Sequence, residues 1–83
     1  MSKIQKLIDG MRNNPRAVRF EDLDKVMTRH GFASRQFGTS HVTYTKSAKR
    51  ATVAKPHGNS NLVKVVYVLQ CLEAIQGEEL DGD

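Results

Sequence analysis

At 83 residues the chain has room for one domain with one modest core, since domains this small bury only about 60% of their unfolded surface, and a large enclosed substrate pocket is excluded. Apolar residues are 39% and charged residues 27%, which excludes a disordered polar chain and suits a globule. The formal net charge is +4, with four of the nine acids confined to the stretch Glu78-Glu79-Leu80-Asp81-Gly82-Asp83, so the body is more basic still; such an excess attracts polyanions such as nucleic acid, or an acidic protein, and serves solubility equally well.

Taken in chain order, Ile4, Leu7, Ile8 and Met11 recur at the i, i+3, i+4, i+7 spacing of an amphipathic helix, with Ser2 and Gln5 in capping-box register. The spacing predicts a helix over 2–12. Asn13-Asn14-Pro15 ends it, because the residue before a proline avoids helical angles. A second helix is predicted from Phe20, Leu23, Val26, Met27 and His30, with Glu21 and Asp22 early and Arg29 late, the order that suits the helix dipole. Gly31 supplies the left-handed residue that closes such a helix.

From Phe32 the period changes to two. Phe32 to Phe37, His41 to Lys46 and Ala51 to Ala54 read as three short strands, joined by Gly38-Thr39-Ser40 and by Ser47-Ala48-Lys49-Arg50. Connections this short predict an antiparallel meander. The last run, Leu62 to Ile75, is rich in β-branched residues but too long for a typical strand, and Val65, Val66, Leu69, Leu72 and Ile75 or Gln76 follow helical spacing. It is read as a helix starting between Leu62 and Val66.

The predicted order, helix, helix, three strands, helix, makes a two-layer α+β fold: a three-stranded antiparallel sheet with helices packed on one face and the other face left to water or a ligand. Residues 1–77 form the domain, and 78–83 are expected to be a disordered acidic tail. The lone Cys71 has no cysteine partner and reads as a small buried apolar residue. No stretch approaches the roughly 18 apolar residues that span a bilayer, so the expectation is a soluble protein of a reducing cytoplasm.

Chemistry has few places to reside. His30, His41 and His57 lie in separate elements with no acidic cluster beside them in sequence, so no metal site is expected. No phosphate-cradling glycine pattern occurs, and no cofactor is expected. His30 reads as a structural cap at a helix end. His57 is a loop histidine, or a phosphate contact beside Lys55.

His41 opens a strand just after a turn of small residues. Alternation puts His41, Thr43 and Thr45 on one face and Val42 and Tyr44 on the other. If Val42 and Tyr44 pack on the helices, His41 faces outward; in the reversed register it is a half-buried structural histidine. Arg35, Lys46, Lys49, Arg50 and Lys55 gather in the same region, either as a solvated hairpin tip or as a phosphate track.

The stretch Phe20 to Gly31, followed by Phe32-Ala33-Ser34-Arg35-Gln36-Phe37-Gly38-Thr39-Ser40-His41-Val42-Thr43-Tyr44, resembles the HicA toxins of bacterial toxin-antitoxin systems, small RNA-cutting proteins with a fold similar to a double-stranded-RNA-binding domain. The likeness continues through Ala51 to Ala54 and Val63 to Leu72 and covers about residues 19 to 75. The family's signature is a glycine and serine turn followed by one catalytic histidine, which Gly38, Ser40 and His41 match with Thr39 interposed. Val65 stands where many relatives carry a proline, and the N-terminal helix is an extension found only in some.

The resemblance implies a metal-independent endoribonuclease acting on mRNA, held in check by a HicB-like antitoxin. It implies His41 as the catalytic residue after the Gly38 and Ser40 turn, and the phosphate-track reading adds Arg35, Lys46, Lys49, Arg50 and Lys55, with Gly38 and Ser40, as RNA contacts. Elementary chemistry is consistent with this, because RNA carries its own nucleophile, the 2′-hydroxyl, and a protein need supply only proton transfer, positioning and charge stabilisation. An imidazole, with an ordinary pKa of about 6.5, serves as base or acid near neutrality and contributes roughly 10²- to 10⁴-fold. The alternatives are a non-catalytic module that reads the shape of A-form RNA and a protein-interaction subunit using the acidic tail.

Overall fold

Helices and strands follow in the order α1 (Lys3–Asn13), α2 (Phe20–Arg29), β1 (Ala33–Phe37), β2 (His41–Lys46), β3 (Lys49–Ala54) and α3 (Val65–Ala74). The computed structural model describes residues 3–38, 40–56 and 61–78. Ser2, Thr39, His57 and the tail beyond Glu78 lie outside the described residues, as do the expectations placed on them.

The α1 stripe folds as its spacing predicts, with Ile4, Ile8 and Met11 buried. Leu23, Val26 and Met27 of α2 are wholly buried, each contributing about 1.5–3 kcal/mol by removal from water. Gly31, at φ +86°, reverses the chain after α2. The amide of Gly31 donates to Thr28 O at 3.0 Å and that of Phe32 to Met27 O at 3.2 Å. These are the two bonds of a Schellman motif, and Phe32 and Met27 are both buried in the core.

The strands form an antiparallel sheet in the order β1-β2-β3. Facing residues are Phe37 and His41, Arg35 and Thr43, His41 and Ala54, Thr43 and Thr52, Thr45 and Arg50, and Lys46 and Lys49. Because side chains alternate, Val42, Tyr44, Ala51 and Val53 share the buried face, and His41, Thr45, Arg50 and Thr52 point the other way and are exposed. Tyr44 is the centre of the core. Its hydroxyl donates to the Asp24 carboxylate at 2.7 Å, and burial, then Asp24, push the phenol pKa well up.

Two sequence expectations change. The β2–β3 connection is two residues, Ser47 and Ala48, rather than four, so Lys49 and Arg50 belong to β3. Ser47 takes the positive φ, 54°, that such a tight turn demands of its first residue. The last helix starts at Val65 and presents a different stripe to the core. Val68, Cys71 and Ile75 are buried, whereas Val66 and Leu69 are 57% and 52% exposed. Nearly every position from Leu62 to Leu72 is apolar, so the period alone allowed more than one face. The choice is made by Val63, which is buried and whose amide bonds Val18 O at 2.8 Å, fixing how the helix enters.

Burial pushes the Cys71 thiol up to about 12, which keeps it protonated and inert as a nucleophile. No helix among the described residues is long and apolar enough to cross a membrane.

Candidate active site on the open sheet face

His41 is the first residue of β2 and is exposed on the face opposite the helices, as expected if Val42 and Tyr44 form the inner side. Its backbone is clamped on both sides, by Phe37 on β1 and Ala54 on β3. Gly38 and Ser40, which precede it, are held as well. Gly38 has φ +62°, which only glycine adopts without strain, and Ser40 O accepts the Lys55 amide at 2.6 Å. An imidazole is therefore presented at the end of the central strand on a rigid base.

Gln36 completes that base and was not singled out in the sequence. Its side-chain amide donates to Gly38 O at 3.4 Å, and its carbonyl accepts Lys55 Nζ at 2.9 Å. One side chain thus ties the turn before His41 to the residue that follows β3. The only sequence sign was parity, which puts Gln36, like Ser34, on the helix side of β1.

The sequence-predicted basic cluster divides. Arg35 stands opposite Thr43 and Arg50 opposite Thr45, both on the His41 face and both exposed. At about 3.3 Å per residue, Arg35 lies about 7 Å along the sheet from His41 and Arg50 about 13 Å. Between them Thr43 and Thr52 bond one another through their hydroxyls at 3.2 Å, making a neutral polar floor. Lys55 looks to the helix side, where its ammonium lies 5.5 Å from the Phe20 ring centroid. Lys46 and Lys49 also turn away from His41. Lys46 Nζ donates to His30 O at 2.8 Å, and Lys49 Nζ to Ala74 O at 3.0 Å and Gln76 O at 2.9 Å.

Those carbonyls end α2 and α3, where a cation complements the dipole. Glu78 then bridges both lysines, one carboxylate oxygen to each Nζ at 2.8 Å, and these bonds hold its carboxyl near 2. The tail expected to be disordered from residue 78 therefore begins with a tethered residue. Gly31 permits part of this arrangement, since a Cβ there would sit 3.0 Å from Lys46 Nζ.

His30 is buried and structural, as expected. Its Nδ1 donates to Val26 O at 2.7 Å. Among the described residues no three of His, Cys, Asp and Glu are grouped as metal ligands would be. A groove of about 730 Å³ lies between β3 and α3 and is lined by Lys49, Arg50, Thr52, Tyr67, Gln70 and Glu73. It is at the other end of β3 from His41, and Glu73 in its wall disfavours a polyanion.

Charge is distributed to match the open face. The stretch from Lys25 to Leu72 contains eight of the thirteen lysines and arginines and no Asp or Glu. All three strands are thus free of acids, and phosphate oxygens approaching the sheet meet no like charge from it. No family model matches the chain, and no curated protein or solved structure matches it significantly.

Proposed function

We propose that the chain is a metal-independent endoribonuclease of the HicA kind, the toxin of a bacterial toxin-antitoxin pair, which cuts mRNA with His41 as general acid or base. One observation carries the reading: among the described residues His41 is the exposed imidazole, held at a strand start on a basic sheet face whose strands contain no acid.

In the proposed reaction the ribose 2′-oxygen attacks the adjacent phosphorus and the bond to the 5′-oxygen breaks. The products are a 2′,3′-cyclic phosphate and a 5′-hydroxyl. His41 either removes the 2′-proton or protonates the departing 5′-oxygen, and water serves the other half. Arg35, one strand away, is placed to offset charge building on the non-bridging oxygens. Arg50 gives affinity and register further along the strand. A HicB-like antitoxin silences the enzyme by covering this face.

The test compares the parent with His41→Ala in growth arrest and in cleavage of a labelled transcript with chelator present. Loss of both activities in the variant is expected, together with resistance of DNA, which lacks the 2′-hydroxyl. Equal arrest and equal cleavage by the two proteins would remove His41 as the catalyst, and efficient DNA cutting would end the mechanism.

A further inference from the structure

Phe37 is the last residue of β1, shares the open face with Arg35, and is directly opposite His41. It remains 46% exposed. The Arg35 guanidinium lies 5.5 Å from its ring centroid, so the ring has a cation along the strand and an imidazole across it. The other large exposed apolar residues, Leu62, Val66 and Leu69, are aliphatic and belong to α3 and the segment before it. Phe37 thus stands as one flat ring among polar and cationic neighbours. A protein interface is built around a larger, charge-depleted apolar centre. One ring matches one nucleobase, because every base has a π-face, and the flanking cations match its phosphates.

We infer that Phe37 is a stacking platform for one unpaired nucleobase beside the scissile phosphate, with Arg35 on that same phosphate. The inference rests on the RNA reading above and narrows it to RNA that is single-stranded at the cut. In an A-form helix bases are stacked on one another and offer no face to a protein ring. Opposed residues of an antiparallel pair hold their Cβ atoms about 4.5–5.5 Å apart. A base resting on Phe37 therefore brings its own sugar and phosphate to His41.

The experiment uses the full chain and short labelled RNAs whose 2′-oxygens are methylated, which removes the nucleophile and lets binding be read without cleavage. A single strand and a duplex of the same composition are titrated by fluorescence anisotropy at several salt concentrations, beside a cleavage assay on unmodified RNA. Phe37→Ala should weaken single-strand binding about tenfold and leave the slope of log K against log salt unchanged, since no charge is lost. Phe37→Trp should retain affinity. The chain has no tryptophan of its own, so the variant's indole emission should be quenched by the single strand and not by the duplex.

Equal single-strand affinity of the parent and Phe37→Ala would overturn the platform and leave Phe37 to a protein contact. A preference of the parent for duplex would overturn it as well. If the parent binds single strands through Phe37 yet yields no RNA ends, the nuclease reading fails while the platform stands. If the parent binds neither RNA, both fail.

Discussion

Lys46 and Lys49 come from the same sheet as Arg35 and Arg50, yet the two pairs use their charge in opposite ways. The lysines face each other across the β2–β3 turn on the helix side, where directly opposed like charges would repel. The structure resolves this with the end carbonyls of α2 and α3 and with Glu78, which places one oxygen on each ammonium. Their charge is consumed internally. The arginines, one strand away from Thr43 and Thr45 on the open face, have exposed side chains among neutral hydroxyls. Strand parity alone separates a structural cation from one available to a ligand.

Breaking each side of this comparison should have distinct signatures. The largest effect belongs to the open face: His41→Ala should lower the rate of RNA cleavage roughly 10²- to 10⁴-fold. Its unfolding free energy should stay within about 0.5 kcal/mol of the parent's, because the side chain is exposed and away from the core. Replacing Lys46 and Lys49 together with methionine should do the reverse. Stability should fall by about 1–2 kcal/mol through lost interactions with two helix ends, about 4–8 °C per kcal/mol in a domain this size, with RNA affinity little changed. A large loss of RNA affinity without loss of stability would put the lysines back in the phosphate track.

Arg35→Gln and Arg50→Gln should each weaken RNA binding and reduce the salt slope by about 0.7 for a single strand, with unchanged melting. The smallest effect is that of Glu78→Gln, a modest destabilisation at neutral pH that salt diminishes. The folded carboxyl titrates near 2, below its ordinary value of about 4.3. Its contribution is therefore complete above the ordinary value and disappears as pH falls through the folded one. Melting curves of parent and variant should converge between about pH 4 and 2.

The sequence narrowed His41 to two orientations decided by which side Val42 and Tyr44 take, and it made the order of elements and the open face legible, because hydrophobic period and the turns at Gly31 and Gly38 are local signals. The stripe of α3 was not, since a run of nearly uniform apolar residues carries no period, and the entry angle depends on a bond from Val63 to Val18. Lys49 was misassigned for a related reason. A four-residue turn puts Lys49 and Arg50 at a solvated tip, whereas the two-residue turn makes them strand neighbours pointing to opposite faces. Gln36 and Phe37 were legible only after the register was known. Gln36 matters through contacts with Gly38 and Lys55, and Phe37 through its place opposite His41.

The central claim is that one exposed imidazole on an open, acid-free sheet face cuts RNA through the substrate's own 2′-hydroxyl. Its most direct measurement is a chelator-containing time course on two labelled oligonucleotides, one all-ribo and one with a single 2′-deoxy residue at the cut site. The prediction is cleavage of the first to a 2′,3′-cyclic phosphate, no cleavage at the modified position of the second, and near-complete loss of the first reaction in His41→Ala. Cleavage at the 2′-deoxy position, or an undiminished rate in His41→Ala, would contradict it.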